Sequence, residues 1–95
     1  MRIEWDPHKA ALNLQRHGIA FEEAETVFAD KLARTDPDSD HSQREERFTT
    51  IGMTLRGRVV IVWHTDRVDD DGEDVVRLIG ARRATPGERR EYELE

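Results

Sequence analysis

Arginine is the residue type through which this sequence could most directly do chemistry. Thirteen of its fifteen cationic residues are arginine, and from Arg77 to Arg90 there are five arginines against the single acid Glu88. The planar guanidinium group contacts a phosphate at two points, which the point charge of lysine cannot do. A genome rich in G and C would also favour arginine over lysine, but it explains the clustering less well. The cluster, which culminates in Arg77, Arg82 and Arg83, therefore predicts an anion-binding surface.

Side chains that could transfer protons accompany the arginines. His41 has an imidazole that titrates near neutral pH, and Glu46 and Tyr92 add a carboxyl group and a phenol. If the anion were an RNA phosphate, the adjacent 2′-hydroxyl could attack phosphorus without a metal, given a base, an acid and cations on the phosphate oxygens. The cations of this hypothesis are Arg67, Arg77 and Arg82.

Structural roles for the same residues stay open. His41 could be a loop histidine that caps or solvates its neighbours, and Glu46 could form a surface ion pair with an arginine of a neighbouring strand. A single arginine on a strand is commonly a solvated edge residue or half of a salt bridge. Several arginines that meet at one end of a small sheet are harder to explain in this way.

We expect neither a metal nor a cofactor. Asp36, Asp38 and Asp40 resemble the start of a calcium loop, but His41 and Arg47 stand where such a loop needs a glycine and a bidentate glutamate. The sequence has no cysteine, which excludes disulfides, thiolate zinc sites and cysteine nucleophiles. It also has no histidine pair at helical spacing and no phosphate-binding glycine loop.

Length and composition predict one domain over residues 1–95 with a thin core. Hydrophobic residues make up 36% of the chain and charged residues 38%, against roughly 45–50% and about 25% in ordinary globular domains. The sequence shows neither an apolar run of membrane-spanning length nor a signal peptide, so we expect a cytoplasmic protein without a membrane partner. The net charge of −6 argues against a nucleic-acid partner at first sight, but much of the acid is concentrated in the segment Asp69–Asp74.

The N-terminal half reads as a strand followed by two helices. A short strand over Met1–Trp5 precedes Asp6 and Pro7, which have the residue types of a helix N-cap and first turn. The first helix is expected to run to about His17 and to end at Gly18. Apolar residues at spacings of three and four predict a second helix over Phe21–Ala29.

The C-terminal half reads as strands with period two. We expect a strand over Leu32–Thr35, a loop over Asp36–Gln43, and an antiparallel meander of Arg47–Thr54, Arg58–Thr65 and Val75–Arg83. Thr85 to Glu88 have the spacing of a capping box and predict a final helix to about Leu94. The expected fold class is α+β, a small antiparallel sheet with two N-terminal helices and one C-terminal helix.

Strict alternation would divide the arginines of the last strand between its two faces. One face would hold Arg77, Ile79, Ala81 and Arg83, and the other would hold Val76, Leu78, Gly80 and Arg82. Arg82 and Arg83 would then face opposite ways, which leaves Arg83 as a surface or partner contact. In the preceding strand both faces are largely apolar, which is typical of a central strand, and His64 and Arg67 are expected to emerge at its end.

The sequence resembles the BrnT family of bacterial toxins over nearly its whole length. The resemblance begins with Glu4-Trp5-Asp6-Pro7-His8-Lys9-Ala10, Asn13, Arg16-His17-Gly18-Ile19 and Phe21-Glu22-Glu23-Ala24. It continues in the family's order with His41-Ser42, Glu46-Arg47, Ile51-Gly52, Gly57-Arg58, Arg67, Arg77-Leu78-Ile79, Ala81-Arg82, Glu88-Arg89 and Tyr92. One departure is Ala20, which stands where the family usually has a serine before Phe21 and removes a helix cap.

The resemblance implies a RelE-like ribonuclease fold and a toxin that cuts RNA and slows translation. It implies a partner antitoxin, BrnA, that masks the toxin and binds DNA through a ribbon-helix-helix part, so that the toxin meets DNA only indirectly. By matched position it points to Glu46, Arg67, Arg77 and Arg82 as site residues, together with His41 and Tyr92.

Two other functions remain open at this point. The chain could be a partner-binding module without catalysis that acts as co-repressor with a DNA-binding antitoxin, which the negative charge would suit. Direct DNA binding by the chain is the third reading, but its helices lack a run of basic residues suited to a major groove.

Overall fold

A computed structural model describes residues 1–38 and 46–94 of the chain. In sequence order the elements are β1 (Arg2–Glu4), α1 (Pro7–His17), α2 (Phe21–Ala24), a 3₁₀ helix (Glu25–Ala29), β2 (Arg34–Pro37), β3 (Arg47–Met53), β4 (Val59–Val68), β5 (Asp74–Arg83) and α3 (Pro86–Glu93). The α+β class is confirmed. Within the described ranges, no helix is long and apolar enough to cross a membrane.

The helix ends follow the predicted capping residues. Asp6 accepts a hydrogen bond from the backbone N–H of His8 at 2.8 Å, and Gly18 ends α1 in the left-handed region with φ 69°. Thr85 and Glu88 form the predicted capping box at the start of α3. These local interactions satisfy backbone groups that a helix leaves without partners at its ends.

The second helix is shorter than predicted. Its α-helical part ends at Ala24, and Glu25–Ala29 continue as a 3₁₀ helix. The Thr26 hydroxyl donates to the carbonyl oxygen of Glu23 at 2.6 Å, and such a side-chain bond competes with the regular backbone pattern. The N-terminus of α2 also lacks a side-chain cap at Ala20, as the departure from the family pattern led us to expect.

The five strands form one sheet in the order β1-β5-β4-β3-β2. The meander of β3, β4 and β5 is antiparallel, as predicted, and β2 pairs antiparallel with β3. The expectation of a wholly antiparallel sheet is wrong, because β1 lies parallel to β5 with Arg2 opposite Val75. The prediction rested on short connections between strands, and β1 is joined to its neighbour by most of the chain.

The strand β2 begins and ends two residues later than predicted. Asp36 and Pro37, which we assigned to a loop, pair with Thr49 and Phe48 of β3. A proline within the strand is compatible with this position because β2 is an edge strand, where one side of the backbone needs no ladder partner. Of the predicted loop, residues 39–43 lie outside the described residues.

One face of the sheet carries the hydrophobic core. The helices contribute Ile19, Phe21, Ala24 and Val27, and the sheet contributes Val60, Val62, Val76, Leu78 and Ala81. Trp5 packs edge-on against Phe21, with ring centroids 5.8 Å apart. The helices α1 and α2 and the 3₁₀ helix all lie on this side of the sheet.

His64 lies inside the core layer and does not emerge at the end of β4, so the sequence-based expectation for it is wrong. Its side chain is 1% exposed, and its ring packs against Phe28 and stacks on Phe48. Its Nε2 contacts the Thr50 hydroxyl at 2.7 Å and its Nδ1 contacts the Asp66 carboxylate at 2.7 Å. These bonds satisfy both ring nitrogens, which is what allows a polar ring to be buried.

Gly52 allows the 3₁₀ helix to approach the sheet closely. A Cβ atom at Gly52 would lie 3.1 Å from the Cβ atoms of Val27 and Ala33 and 3.3 Å from the Val27 carbonyl oxygen. We expect Gly52→Ala to lower the free energy of unfolding by about 1–3 kcal/mol through overpacking. Urea denaturation measures this change.

Gly87→Ala is the matched control. In the described part of the chain nothing lies within 4 Å of a Cβ atom added at Gly87, and alanine raises helix propensity by up to about 1 kcal/mol. This variant is therefore expected to be unchanged or slightly more stable. Equal stability of the two variants would contradict the close approach at Gly52.

Candidate functional site

A β-bulge in β5 determines which arginines share a face of the sheet. Trp63 pairs with Gly80, whereas the next residue of β4, His64, pairs with Leu78. Ile79 is therefore an extra residue in β5, and an extra residue reverses the alternation of side chains beyond it. As a result Arg77 and Arg82 lie on the same face, and the assignment of these two residues from strict alternation is wrong.

The sheet face opposite the core carries arginines from all five strands, and we call it the arginine face. Residues directly paired across strands point to the same side. Arg77 is opposite Thr65, which is opposite Arg47, and Arg82 is opposite Ile61 in β4. By the same register the arginine face comprises Arg2, Arg34, Arg47, Arg67, Arg77 and Arg82.

Arg83 lies on the other face. It pairs with Val60, a core residue, while Arg82 pairs with Ile61. The prediction that Arg82 and Arg83 face opposite ways is confirmed, because both lie beyond the bulge and alternation holds between them.

Asn13 of α1 fixes the segment that follows the bulge. Its side-chain Oδ1 accepts from the backbone N–H of Ala81 at 3.0 Å, and its Nδ2 donates to the carbonyl oxygen of Ile19 at 2.9 Å. Strand β1 ends opposite Arg77. Further along this edge of β5, at Ala81, the hydrogen-bond partner of the backbone is the Asn13 side chain instead of β1. Asn13 is 7% exposed, and a buried amide with both ends bonded holds its neighbours firmly.

Glu4 bridges two arginines of the arginine face. Its Oε2 accepts from Arg67 Nη1 at 2.9 Å and from Arg77 Nη1 at 2.9 Å, while its Oε1 accepts from Arg67 Nη2 at 3.1 Å. The hydrogen bonds from Arg67, and next those from Arg77, lower the pKa of Glu4 to about 2. Glu4 is therefore a permanent carboxylate at neutral pH, and the site that binds it is an anion site.

Arg82 is held by different partners. Its guanidinium donates to both carboxylate oxygens of Glu88 in α3, at 2.8 and 3.1 Å, and lies 5.2 Å from the ring centroid of Trp63. The bonds from Arg82 are the main cause that lowers the pKa of Glu88 to about 2. Arg82 thus sits over an aromatic ring near the middle of the arginine face, in a cation–π contact.

The three predicted arginines occupy two positions on this face. Arg67 and Arg77 meet at Glu4, whereas Arg82 is opposite Ile61, four residues of β4 before the partner of Arg77. At roughly 3.3 Å per residue the two positions are about 13 Å apart. A single phosphate cannot contact both, so a ligand that uses all three arginines must be extended.

Tyr92 lies at the other end of the sheet. Its side chain is buried, and its hydroxyl donates to Asp30 Oδ2 at 2.5 Å, while the same oxygen accepts from the backbone N–H of Met53 at 2.8 Å. Met53 pairs with Val59, eight residues of β4 before Arg67, which corresponds to about 26 Å. The structure therefore does not bring Tyr92 together with Arg67 and Arg77.

Glu46 is exposed and directly precedes Arg47. Arg47 pairs with Thr65 of β4, and Thr65 pairs with Arg77 of β5. Glu46 is therefore at the same end of the sheet as the Glu4 site. His41 lies outside the described residues.

Sequence reasoning missed two residues of the arginine face, Glu4 and Trp63. Glu4 was quoted as part of a family motif, and Trp63 as an apolar residue of a central strand. The alternation of Arg2 and Glu4 in the predicted first strand was a usable signal for one shared face. The partner of that strand, however, could not be read from the sequence.

Two comparisons relate the chain to known proteins. A family model described as "Ribonuclease toxin, BrnT, of type II toxin-antitoxin system" matches residues 5–88. The structure is similar to the 1.1 Å crystal structure of the ribonuclease toxin BrnT of Brucella abortus, with a TM-score of 0.66 and 24% sequence identity, over 90% of this chain and 97% of that chain. At this identity the structural likeness shows the fold. A comparison with curated protein sequences gave no match.

Tyr92 gives a prediction about alkaline pH. Burial, followed by the hydrogen bond to Asp30, raises the pKa of Tyr92 to about 12 from 10.0. The folded protein keeps a proton that the unfolded chain releases, so the contribution of Tyr92 to stability is complete below pH 10 and is lost as the pH rises towards about 12. Tyr92→Phe is expected to lower the free energy of unfolding at pH 7 by about 1–2 kcal/mol and to flatten this alkaline decline.

The titration is directly observable because the chain has a single tyrosine. Ultraviolet absorbance of the phenolate in the folded wild type follows Tyr92 alone, and urea denaturation at several pH values gives the stability. A phenol that titrates near pH 10 in the folded protein would contradict the buried bond to Asp30.

Proposed function

Because the chain belongs to the BrnT family of ribonuclease toxins of type II toxin–antitoxin systems, we propose that it is an endoribonuclease that cuts RNA without a metal ion and so inhibits translation. The observation that carries this proposal is the arginine face, where Arg67 and Arg77 converge on one carboxylate. A site that binds a carboxylate with two guanidinium groups has donors suited to a phosphate. The RelE-like character of the fold, which the resemblance implies, is part of the same proposal.

In the proposed reaction the 2′-hydroxyl of the RNA attacks the neighbouring phosphorus. The bond between the 2′-oxygen and phosphorus forms and the bond to the 5′-oxygen breaks, so the 2′-oxygen loses a proton and the leaving 5′-oxygen gains one. Arg67 and Arg77 stabilise the negative charge that develops on the phosphate oxygens. Glu46, at the same end of the sheet, and His41 are the candidates for the two proton transfers.

The rest of the arginine face would bind the RNA on either side of the cut. Trp63 is partly exposed near the middle of this face, and an aromatic ring next to an arginine is a common platform for an unpaired base. The partners of Arg82 and Arg77 in β4 are about 13 Å apart. Arg82 would therefore contact a different phosphate, further along the RNA. This arrangement favours single-stranded RNA as substrate.

A toxin of this class acts together with an antitoxin. We propose a BrnA-like partner with a ribbon-helix-helix part, so that the pair contacts DNA through the antitoxin, and we place both proteins in the cytoplasm. The turn between β4 and β5 is strongly acidic, with five acids in the segment Asp69–Asp74. A basic segment of the antitoxin would complement this turn.

Cleavage of RNA by the purified protein tests the proposed activity. In the presence of EDTA the wild type is expected to cut single-stranded RNA to products with 2′,3′-cyclic phosphate ends. Arg77→Ala removes a cation from the phosphate and is expected to lower the cleavage rate about 100-fold or more. Mass spectrometry of the products and gel assays measure both quantities.

Arg83→Ala is the matched control for Arg77→Ala. It removes the same side chain and the same charge from an exposed position of the same strand, but on the opposite face. It is expected to cleave within about twofold of the wild type, the spread usual for a surface charge. Intact RNA after incubation with folded wild type, or equal losses in both variants, would overturn the proposed activity.

Growth of cells that express the chain tests the pairing with an antitoxin. Expression alone is expected to arrest growth, and co-expression of the neighbouring antitoxin gene is expected to restore it. Arg77→Ala should permit growth while still binding the antitoxin. Harmless expression of soluble wild type would favour the alternative function, a co-repressor that binds a DNA-binding antitoxin without cutting RNA.

A further inference from the structure

We propose that Glu4 is an internal competitor of the substrate, whose carboxylate occupies the phosphate site between Arg67 and Arg77 until an RNA phosphodiester displaces it. This inference rests on the proposed function, because it assigns the same two arginines to the phosphate. It adds a residue that limits RNA binding in the free protein. No part of the reaction itself is assigned to Glu4.

The contacts of Glu4 have the form of a bound oxyanion. Two guanidinium groups from neighbouring strands donate three hydrogen bonds to its two oxygens, all between 2.9 and 3.1 Å. One of these oxygens is shared by Arg67 and Arg77. A phosphodiester offers two non-bridging oxygens and a single negative charge, so the same donors can bind it in the same way.

Glu4 is presented to the arginines by a fixed backbone. It is the last residue of β1 and lies opposite Arg77 in the parallel pair. The next residue, Trp5, packs against the core residue Phe21. Because β1 is paired with β5 and the residue after Glu4 packs in the core, the carboxylate returns to the same place whenever the site is free.

The pair remains accessible to a ligand. The side chains of Arg67 and Arg77 are 50% and 44% exposed, and that of Glu4 is 27% exposed. Ion pairs at such exposed positions are weak because water and salt screen them. An RNA strand that also contacts Trp63 and Arg82 brings additional interactions, and these favour displacement of the carboxylate.

A role in which Glu4 only orients the arginines makes the opposite prediction. If RNA needed the carboxylate in place, neutralising it would weaken binding. If Glu4 competes with RNA, neutralising it removes the competitor and leaves two cations free for the phosphate. The sign of the change in RNA affinity therefore separates the two roles.

The test compares Glu4→Gln with the wild type in binding to a 2′-O-methyl single-stranded oligonucleotide, which has no 2′-hydroxyl to react. Fluorescence anisotropy gives the dissociation constant. Glutamine has the same size but no charge, and we expect about three- to fivefold tighter binding, the range that an exposed ion pair commonly represents. Thermal unfolding checks that the variant is folded.

Glu22→Gln is the control for net charge. Glu22 is exposed in α2, on the side of the sheet opposite the arginine face, and neutralising it changes the charge of the protein by the same amount. It is expected to alter RNA binding by less than about twofold. If Glu22→Gln tightens binding as much as Glu4→Gln, the effect is one of overall charge and the competitor role is wrong.

The double variant Glu4→Gln/Arg77→Ala tests whether the gain depends on the proposed site. We expect Glu4→Gln to give little or no gain when Arg77 is absent, because the carboxylate and the phosphate compete for this arginine. An undiminished gain would overturn the proposal. Should Glu4→Gln be poorly folded, Glu4→Asp keeps the charge and withdraws the carboxylate by one methylene, and it is expected to tighten binding to a smaller extent.

Failure of this inference can be told from failure of the proposed function, because the oligonucleotide cannot be cut. If the wild type cleaves RNA in EDTA but binds the oligonucleotide as well as Glu4→Gln or better, the proposed ribonuclease activity stands and the competitor role of Glu4 is wrong. If the wild type does not cleave RNA but Glu4→Gln binds the oligonucleotide more tightly, the phosphate site stands and the proposed activity is wrong. Absence of binding by both proteins would refute the site itself.

Discussion

The arginine face depends on a single extra residue, Ile79, in β5. The bulge at this residue reverses the alternation of the strand, so that Arg77 and Arg82, five positions apart, point to the same side. Asn13 bonds to the segment beyond the bulge and ties it to α1. Without the extra residue Arg82 would point to the other face of the sheet, the one on which α1 and α2 pack. The bulge is therefore a structural requirement of the proposed site.

The arginine face reconciles a cationic site with an acidic protein. The chain has a net charge of −6, yet the strand residues of this face include six arginines and only Glu4 and Asp36 as acids in the part of the chain that the structure describes. In the free protein Arg67 and Arg77 share Glu4, and Arg82 is paired with Glu88. These carboxylates limit repulsion between neighbouring arginines. The local charge, and not the net charge, decides what this surface can bind.

The opposite face keeps the sheet rigid enough to present the arginines. His64 bonds to Thr50 and Asp66, and Thr50 contacts Thr35 at 2.7 Å. This chain of polar contacts joins β4 to β3 and β2 inside an otherwise apolar layer. At the other end, Glu23 of α2 accepts from Thr54 at 2.8 Å and pairs with Arg58. Glu23 thus fixes α2 to the turn between β3 and β4. Strands held in this way position the side chains that project from them.

Local signals in the sequence determined the elements, and tertiary pairing determined the site. Asp6, Gly18 and Thr85 set helix ends through contacts with their own backbone neighbours, so their roles were predictable. The BrnT motifs identified the family because they are distributed over nearly the whole chain. The parallel position of β1, the burial of His64 and the bulge at Ile79 arise from contacts between residues far apart in sequence. Glu4 shows the difference most clearly. Its residue type was visible from the start, but only the pairing of β1 with β5 places its carboxylate between Arg67 and Arg77.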